Sequence, residues 1–99
     1  MIRPFALRQK AREDVKKIWE WAADRYGEPQ ADRLVASLYD DCLMLARMRR
    51  IGHKRADLTR RHSLFWTSGS YYIIYAPETA PLEVERIIYG GRDLEKELA

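Results

Sequence analysis

The sequence predicts an α+β fold of two layers, in which an antiparallel helical hairpin packs on a mostly antiparallel four-stranded sheet. A short extended stretch comes first, and two long stretches with apolar residues at helical spacing follow it. Three short stretches rich in aromatic and β-branched residues come last. The predicted order is therefore β-α-α-β-β-β, and the two amphipathic helices bury their apolar stripes against one face of the sheet.

Length and composition favour one globular domain spanning residues 1–99. Apolar residues make up 46% of the chain and charged residues 33%, which is typical of a folded protein rather than a disordered one. The single cysteine, Cys42, excludes an internal disulfide and any multi-cysteine metal site. No apolar run approaches the roughly 18 residues of a membrane span, so we expect a cytoplasmic protein without a membrane partner. We also expect neither a cofactor nor a bound metal.

The first third of the chain reads as a short strand followed by a helix. In residues 2–7, Phe5 and Leu7 fall on one face of the strand. Pro4 has no backbone N–H, so we expect it where the sheet requires no hydrogen-bond donor. The first helical stripe ends at Gly27, a residue typical of helix C-termini. Its members are Ala11, Val15, Ile18, Ala22 and Tyr26.

The second helix is predicted to begin at Glu28-Pro29, since proline is tolerated at the first helical position. It ends near Arg50, before Gly52. Its stripe comprises Ala31, Leu34, Val35, Leu38, Cys42 and Leu45. The tight junction between the helices predicts an antiparallel hairpin.

Three strands are predicted in the last third of the chain, at residues 64–67, Tyr71–Ala76 and Leu82–Tyr89. A turn at residues 68–70 and a loop at residues 77–81 connect them. Residues 92–98 form a short, helical or frayed tail.

Arg86 is unusual because strand alternation places it on the face of Leu82, Val84 and Ile88. A buried arginine without partners is costly. We therefore expect it either to pair with a carboxylate or to line a shallow concavity on the sheet.

A basic connector, residues 47–62, holds seven arginine and lysine side chains against the single acid Asp57. Such a segment favours an anionic partner, either nucleic acid or an acidic protein segment. A solvated loop beside a helix end is the alternative, and the connector lacks the interleaved aromatics that base stacking needs. The candidate patch comprises Arg49, Arg50, Lys54, Arg55, Arg60 and Arg61.

Five short motifs follow one another along the chain. They are Ala11-x-x-Asp14-Val15-x-x-Ile18-Trp19, Tyr26-Gly27-x-x-x-Ala31, Ile51-Gly52-x-x-Arg55-x-Asp57-Leu58, Phe65-Trp66, and Ser70-Tyr71-Tyr72-Ile73-Ile74-Tyr75-x-Pro77-Glu78-Thr79-x-Pro81-Leu82-Glu83-Val84-x-Arg86-Ile87-Ile88-x-Gly90-x-Arg92-Asp93. In order and spacing they resemble the ParE branch of the RelE/ParE toxins of type II toxin–antitoxin systems. The resemblance covers nearly the whole chain.

The resemblance implies a toxin of the kind used in plasmid stabilisation, which inhibits DNA gyrase. It also implies a ParD-like antitoxin as partner and a toxin–antitoxin complex on operator DNA. Such antitoxins drape an extended segment and a helix over the toxin. We expect contact at the apolar margin of the helical hairpin, at Trp19, Trp21, Leu34 and Leu38.

The RelE branch, whose members cut mRNA on the ribosome, supplies an alternative. A metal-independent endoribonuclease needs a proton carrier and a cationic clamp. The candidates are Lys54, Arg86, Tyr89 and Arg92.

That set is incomplete. Residues 64–67 carry no charge, although the nuclease branch places basic residues there, and Tyr89 stands where many ParE sequences have histidine. Between the two branches, the resemblance therefore favours a gyrase inhibitor that is not an enzyme. A decayed toxin fold that only binds an antitoxin is a third possibility.

Overall fold

A computed structural model of the chain describes residues 3–58 and 62–98. The predicted β-α-α-β-β-β order is confirmed, with a short terminal helix after it. The elements are β1 (Phe5–Leu7), α1 (Gln9–Tyr26), α2 (Glu28–Arg47), β2 (Leu64–Ser68), β3 (Tyr71–Ala76), β4 (Leu82–Tyr89) and α3 (Leu94–Leu98). Among the described residues, no helix has the length and apolar character needed to cross a membrane.

The sheet has the strand order β1-β4-β3-β2. Strand β3 is antiparallel to both of its neighbours, β2 and β4, whereas β1 runs parallel to β4 and pairs Phe5 with Leu82 and Leu7 with Val84. Pro4 lies just before β1, where its carbonyl accepts a hydrogen bond from the Leu82 amide at 3.1 Å. Pro4 therefore lies where its backbone only has to accept a hydrogen bond, as expected for a residue without an N–H group.

The second helix ends at Arg47, three residues before the predicted end, because Met48 leaves the helical conformation with φ −119° and ψ 62°. The side chain of Arg49 then reaches the loop between β3 and β4 and donates to the backbone carbonyls of Pro77 and Thr79. These bonds tie the end of α2 to the sheet.

A β-bulge in β4 changes which residues share a face. Ile74 pairs with Arg86 but Tyr75 pairs with Val84, so Glu85 is the extra residue of the bulge. Glu85 is buried, and its carboxylate accepts hydrogen bonds from Arg8 and from the Ser63 hydroxyl. A buried carboxylate with bonded donors stabilises the bulge instead of straining it.

The predicted alternation along β4 is therefore wrong beyond Glu85. Leu82, Val84 and Ile87 face the helical hairpin, and Ile88 belongs to the opposite face. Arg86 shares that opposite face with Ile88 and not the core face with Leu82 and Val84.

The main core lies between the helical hairpin and the sheet. Leu38, Cys42 and Tyr75 are almost wholly buried there. Burial raises the pKa of the Cys42 thiol to about 12, so this side chain packs as a neutral group, as its place in the apolar stripe predicts.

A second cluster covers the other face of the sheet. Its buried members are Phe65, Ile74 and Ile88, and Leu94 and Leu98 of α3 pack on them. The C-terminal tail is thus helical and anchored, so it contributes to a core of its own.

Tyr75 fixes the start of the basic connector. Its hydroxyl donates to the Arg49 carbonyl and accepts from the Gly52 amide, each at 2.9 Å. A Cβ atom on Gly52 would lie 2.6 Å from this hydroxyl oxygen, so only glycine permits the approach.

We predict that Tyr75→Phe lowers the free energy of unfolding by about 1–3 kcal/mol, because it leaves two partly buried backbone groups without a partner. Urea unfolding followed by circular dichroism measures the change. Tyr39→Phe is the matched control, because the Tyr39 hydroxyl forms no hydrogen bond with any described residue. Equal losses in both variants would contradict the role of the Tyr75 hydroxyl.

Candidate functional site

The exposed edge of β4 is the floor of a groove. Strand β1 ends at Leu7, opposite Val84, and no other described strand pairs with this side of β4 from Arg86 to Tyr89. Helices α1 and α3 flank the edge and leave a groove of about 280 Å³. Its lining comprises Asp14, Lys17, Ile18, Trp21, Tyr71, Arg86, Ile87, Ile88, Tyr89, Arg92 and Glu97.

Asp14 of α1 occupies the inner end of this groove. Its carboxylate accepts from Arg86 Nε at 2.8 Å and Nη2 at 3.0 Å, and from the Ile87 amide at 3.0 Å. The two side chains are only 14% and 17% exposed. One carboxylate therefore both pairs with the arginine and caps the strand edge that β1 leaves open.

Arg86 also binds the C-terminal helix. Its Nη1 donates to the Glu97 carbonyl at 2.9 Å, and its Nη2 lies 3.7 Å from the Glu97 carboxylate. Hydrogen bonding of the Arg86 guanidinium to the Asp14 carboxylate is the main cause that raises the pKa of Arg86 above its ordinary value. The expectation that Arg86 pairs with a carboxylate or lines a concavity is confirmed in both parts.

Arg92 lies at the outer end of the groove. Its Nη1 donates to the Glu97 carboxylate at 3.2 Å, while its side chain remains 62% exposed. Arg86 is thus held from two sides, whereas Arg92 presents most of its donors to solvent.

Aromatic rings form the rim of the groove. Trp21 and Tyr89 are about half exposed, and the Tyr89 ring meets the Tyr71 ring edge to face at 5.8 Å. A side chain on Gly91 would collide with the Tyr89 ring, so the glycine lets this ring lie against the backbone. Large aromatic surfaces held in place but exposed are typical of binding sites.

The structure brings together only part of the predicted nuclease set. Arg86, Tyr89 and Arg92 all line the groove. Lys54 lies elsewhere, because its neighbour His53 pairs with Phe65 of β2, the strand farthest from β1. β2 and β4 are separated by β3, so their backbones are about 10 Å apart.

The predicted basic patch is partly neutralised. Arg50 pairs with Glu78, and Arg55 pairs with Asp57 at 2.9 Å, which lowers the pKa of Asp57. Arg49 is engaged by loop carbonyls, and exposed Lys54 has no acidic partner among the described residues. The remaining two members, Arg60 and Arg61, lie outside the described residues.

The predicted antitoxin residues occupy different environments. Trp21 is exposed, whereas Trp19 is partly buried and donates to Asp32 at 2.8 Å across the hairpin. Leu34 is partly buried against the core, and Leu38 is only 1% exposed, so it offers no surface to a partner.

Sequence reasoning missed Asp14, Lys17, Tyr71 and Glu97. Asp14 was part of a recognised motif, and its position one residue before buried Val15 was a usable signal for a carboxylate at the margin of the core. The sequence carried no such signal for Glu97, because only the folded C-terminal tail brings this residue to Arg86. Within the described part of the chain, no three histidine, cysteine, aspartate or glutamate residues gather as metal ligands would.

We predict that Asp14→Ala destabilises the protein by about 3 kcal/mol, because it leaves Arg86 and the Ile87 amide without their shared acceptor. Thermal and urea unfolding measure the loss. Asp24→Ala removes an exposed carboxylate from the same helix and serves as the control. A loss no larger than in the control would show that the carboxylate does not hold the strand edge.

The family model described as ParE toxin of type II toxin-antitoxin system, parDE, matches residues 5–94. A solved structure titled "Chromosomal ParDE TA system from P. aeruginosa" superposes with a TM-score of 0.71 at 15% identity, covering 86% of this chain and 92% of that one. At that identity the likeness shows the fold. Curated protein sequences gave no match. The chain belongs to the ParE toxin family of type II toxin–antitoxin systems.

Proposed function

We propose that this protein is a cytoplasmic toxin that inhibits DNA gyrase and is neutralised by a ParD-like antitoxin encoded beside it. One observation carries the choice of gyrase over RNA cleavage. Of the four candidate nuclease residues, Arg86, Tyr89 and Arg92 line the groove, but Lys54 lies toward the far edge of the sheet. Membership of the family supports the assignment as a toxin, and the separation of Lys54 from the groove argues against the nuclease branch.

Arg86 is poorly suited to act as a clamp. A cationic clamp must hold donors ready for charge that develops in the transition state. Nε and Nη2 of Arg86 already bond to Asp14, and Nη1 bonds to Glu97. Engaging a scissile phosphate would require breaking these bonds, at a cost that a preorganised site avoids.

A ribosome-dependent endonuclease remains the second candidate because Tyr89 and Arg92 do lie in one groove. Tyr89 would carry the proton and Arg92 would bind the phosphate. A decayed toxin fold that only binds an antitoxin is the third.

The antitoxin surface is proposed at the closed end of the helical hairpin. Trp21 and Tyr26 meet edge to face at 5.9 Å, and Tyr26 is 62% exposed. Arg25 lies 5.3 Å from the centre of the Trp21 ring. Tryptophan, tyrosine and arginine dominate binding hot spots, so this cluster suits a protein partner.

Charge supports the same partner. The exposed Lys54 and its basic neighbours would attract an acidic antitoxin segment along the connector. With the antitoxin bound in this way, the toxin would be carried to operator DNA as part of the toxin–antitoxin complex. The pair would act in plasmid stabilisation.

We predict that the purified protein inhibits supercoiling by DNA gyrase and causes cleaved DNA to accumulate. Gel electrophoresis of a relaxed plasmid treated with gyrase measures both effects. In parallel, mRNA on programmed ribosomes should remain intact.

The Arg92→Ala variant separates the candidates. Cleaved mRNA that is lost in this variant, with unaffected gyrase, would replace the gyrase proposal by the endonuclease. If neither gyrase nor mRNA is affected and antitoxin binding is retained, the gyrase proposal would be replaced by the decayed toxin fold.

We predict that Trp21→Ala weakens antitoxin binding by about tenfold or more, because it removes a half-exposed aromatic anchor. Isothermal titration calorimetry with the antitoxin encoded beside the toxin gives the affinity. Met48→Ala, which removes an equally exposed apolar side chain beyond α2, is the control. Equal affinities for the two variants would move the antitoxin to another surface.

A further inference from the structure

The outward side of α2 carries apolar side chains that the core does not use. Leu43 is 41% exposed in the second half of this helix. Ala36 precedes it by two helical turns and Ala46 follows it by about one turn, so both share its side of the helix. Tyr39, about one turn before Leu43, is only partly buried, and its ring contacts the Phe5 ring at 5.9 Å. Small and apolar side chains along one stripe allow a second helix to pack closely.

Two unlike charges flank Leu43 on the same side. Asp40 lies three residues before it and Arg47 four residues after it, and both side chains are exposed. Neither makes an ion pair with a described residue. They are about 10.5 Å apart along the helix axis, so they do not pair with each other. The outer α2 face, defined by these residues, comprises Ala36, Tyr39, Asp40, Leu43, Ala46 and Arg47.

The two charges lie almost symmetrically about Leu43. At a rise of 1.5 Å per residue, Asp40 is about 4.5 Å from the level of Leu43, and Arg47 is about 6 Å from it on the other side. An antiparallel second copy of α2, with the two Leu43 side chains opposite each other, therefore places its Arg47 within about 1.5 Å of the level of Asp40. Parallel helices would instead put each charge opposite its own copy, which is unfavourable.

We propose that the outer α2 face binds a second copy of this chain, in an antiparallel helix pair about a two-fold axis at Leu43. The two Leu43 side chains meet at the axis, and each Asp40 pairs with Arg47 of the second copy. A contact in which both copies use the same self-complementary surface is the usual form of a symmetric dimer. The proposal does not depend on gyrase, because it concerns association of the toxin with itself.

The charge balance of the outer α2 face favours a second copy over the other partners. Nucleic acid binds to basic surfaces, whereas this face has one acid for one base. An acidic antitoxin segment would be attracted by Arg47 but repelled by Asp40. Only a partner that presents the same two charges in the opposite direction matches both of them, and a second α2 does so.

Pairing through α2 leaves the other surfaces of the toxin accessible. Leu43 is about 24 Å along the helix from Gly27, so the contact lies away from Trp21 and Tyr26 at the closed end of the hairpin. Among the described residues, those that line the β4 groove include none from α2. Each copy in the pair can therefore still bind an antitoxin.

Sedimentation velocity of the purified toxin over about 1–100 μM tests the proposal, because a single helix pair is a small interface and is expected to bind weakly. We expect a monomer–dimer equilibrium in this range. Asp40→Arg and Arg47→Asp should each weaken dimerisation by about tenfold or more, since each creates two like-charge contacts across the axis. The variant with both substitutions should regain most of the original affinity, which a role within one chain would not produce.

Asp24→Arg is the matched control for Asp40→Arg, because it makes the same charge change at an exposed position of α1, outside the outer α2 face. We expect it to leave dimerisation unchanged. Leu43→Glu should abolish the dimer, because two carboxylates would then meet at the axis. Urea unfolding followed by circular dichroism shows whether the monomer of each variant keeps its stability.

Four results would overturn the proposal. A toxin that remains monomeric up to about 100 μM would exclude the dimer. Equal effects of Asp40→Arg and Asp24→Arg would indicate a general effect of net charge, and no rescue by the double substitution would place the contact elsewhere. A monomeric toxin whose antitoxin binding is weakened by Leu43→Glu would assign the outer α2 face to the antitoxin. None of these measurements uses gyrase, so the failure of either proposal is recognised separately.

Discussion

The carboxylate of Asp14 is the contact on which the edge of the sheet depends. Strand β1 covers β4 only as far as Val84, so the rest of that edge needs another partner. Asp14 supplies it from α1 by accepting the Ile87 amide and binding Arg86 with both oxygens. Arg86 then binds the backbone of Glu97 and so links the layer of helices on one face of the sheet to α3 on the other. Because these groups satisfy one another, the edge is stable without a further strand.

The bulge at Glu85 makes this link possible. With an unbroken register, Arg86 would face the apolar core beside Val84. One extra residue turns Arg86 to the opposite face and toward the edge, while Ile87 enters the core in its place. Bulges often redirect a side chain next to a functional site, and here the groove begins at the redirected arginine.

Much of the fold could be predicted because its signals are local. Helical spacing from Ala11 to Leu45 and the proline at Pro29 gave both long helices, and aromatic, β-branched runs gave the strands. The bulge could not be predicted, since Glu85 alternates as a regular strand residue would and its hydrogen-bond partners, Arg8 and Ser63, are distant in sequence. Of the candidate site, only Arg86, Tyr89, Arg92 and, as an antitoxin contact, Trp21 were predicted, because Lys17 and Glu97 reach the groove through tertiary packing alone.

Arg86 and Arg92 therefore have different roles in the groove. Arg86 and Arg92 both looked like candidate phosphate ligands, and both contact Glu97. Burial decides between them, because Arg86 is 17% exposed and bound on two sides, whereas Arg92 is 62% exposed and held by one carboxylate at 3.2 Å. Exchanging a solvated ion pair for a ligand costs little, and breaking a buried pair costs several kcal/mol. Arg92 can thus exchange partners while Arg86 maintains the fold.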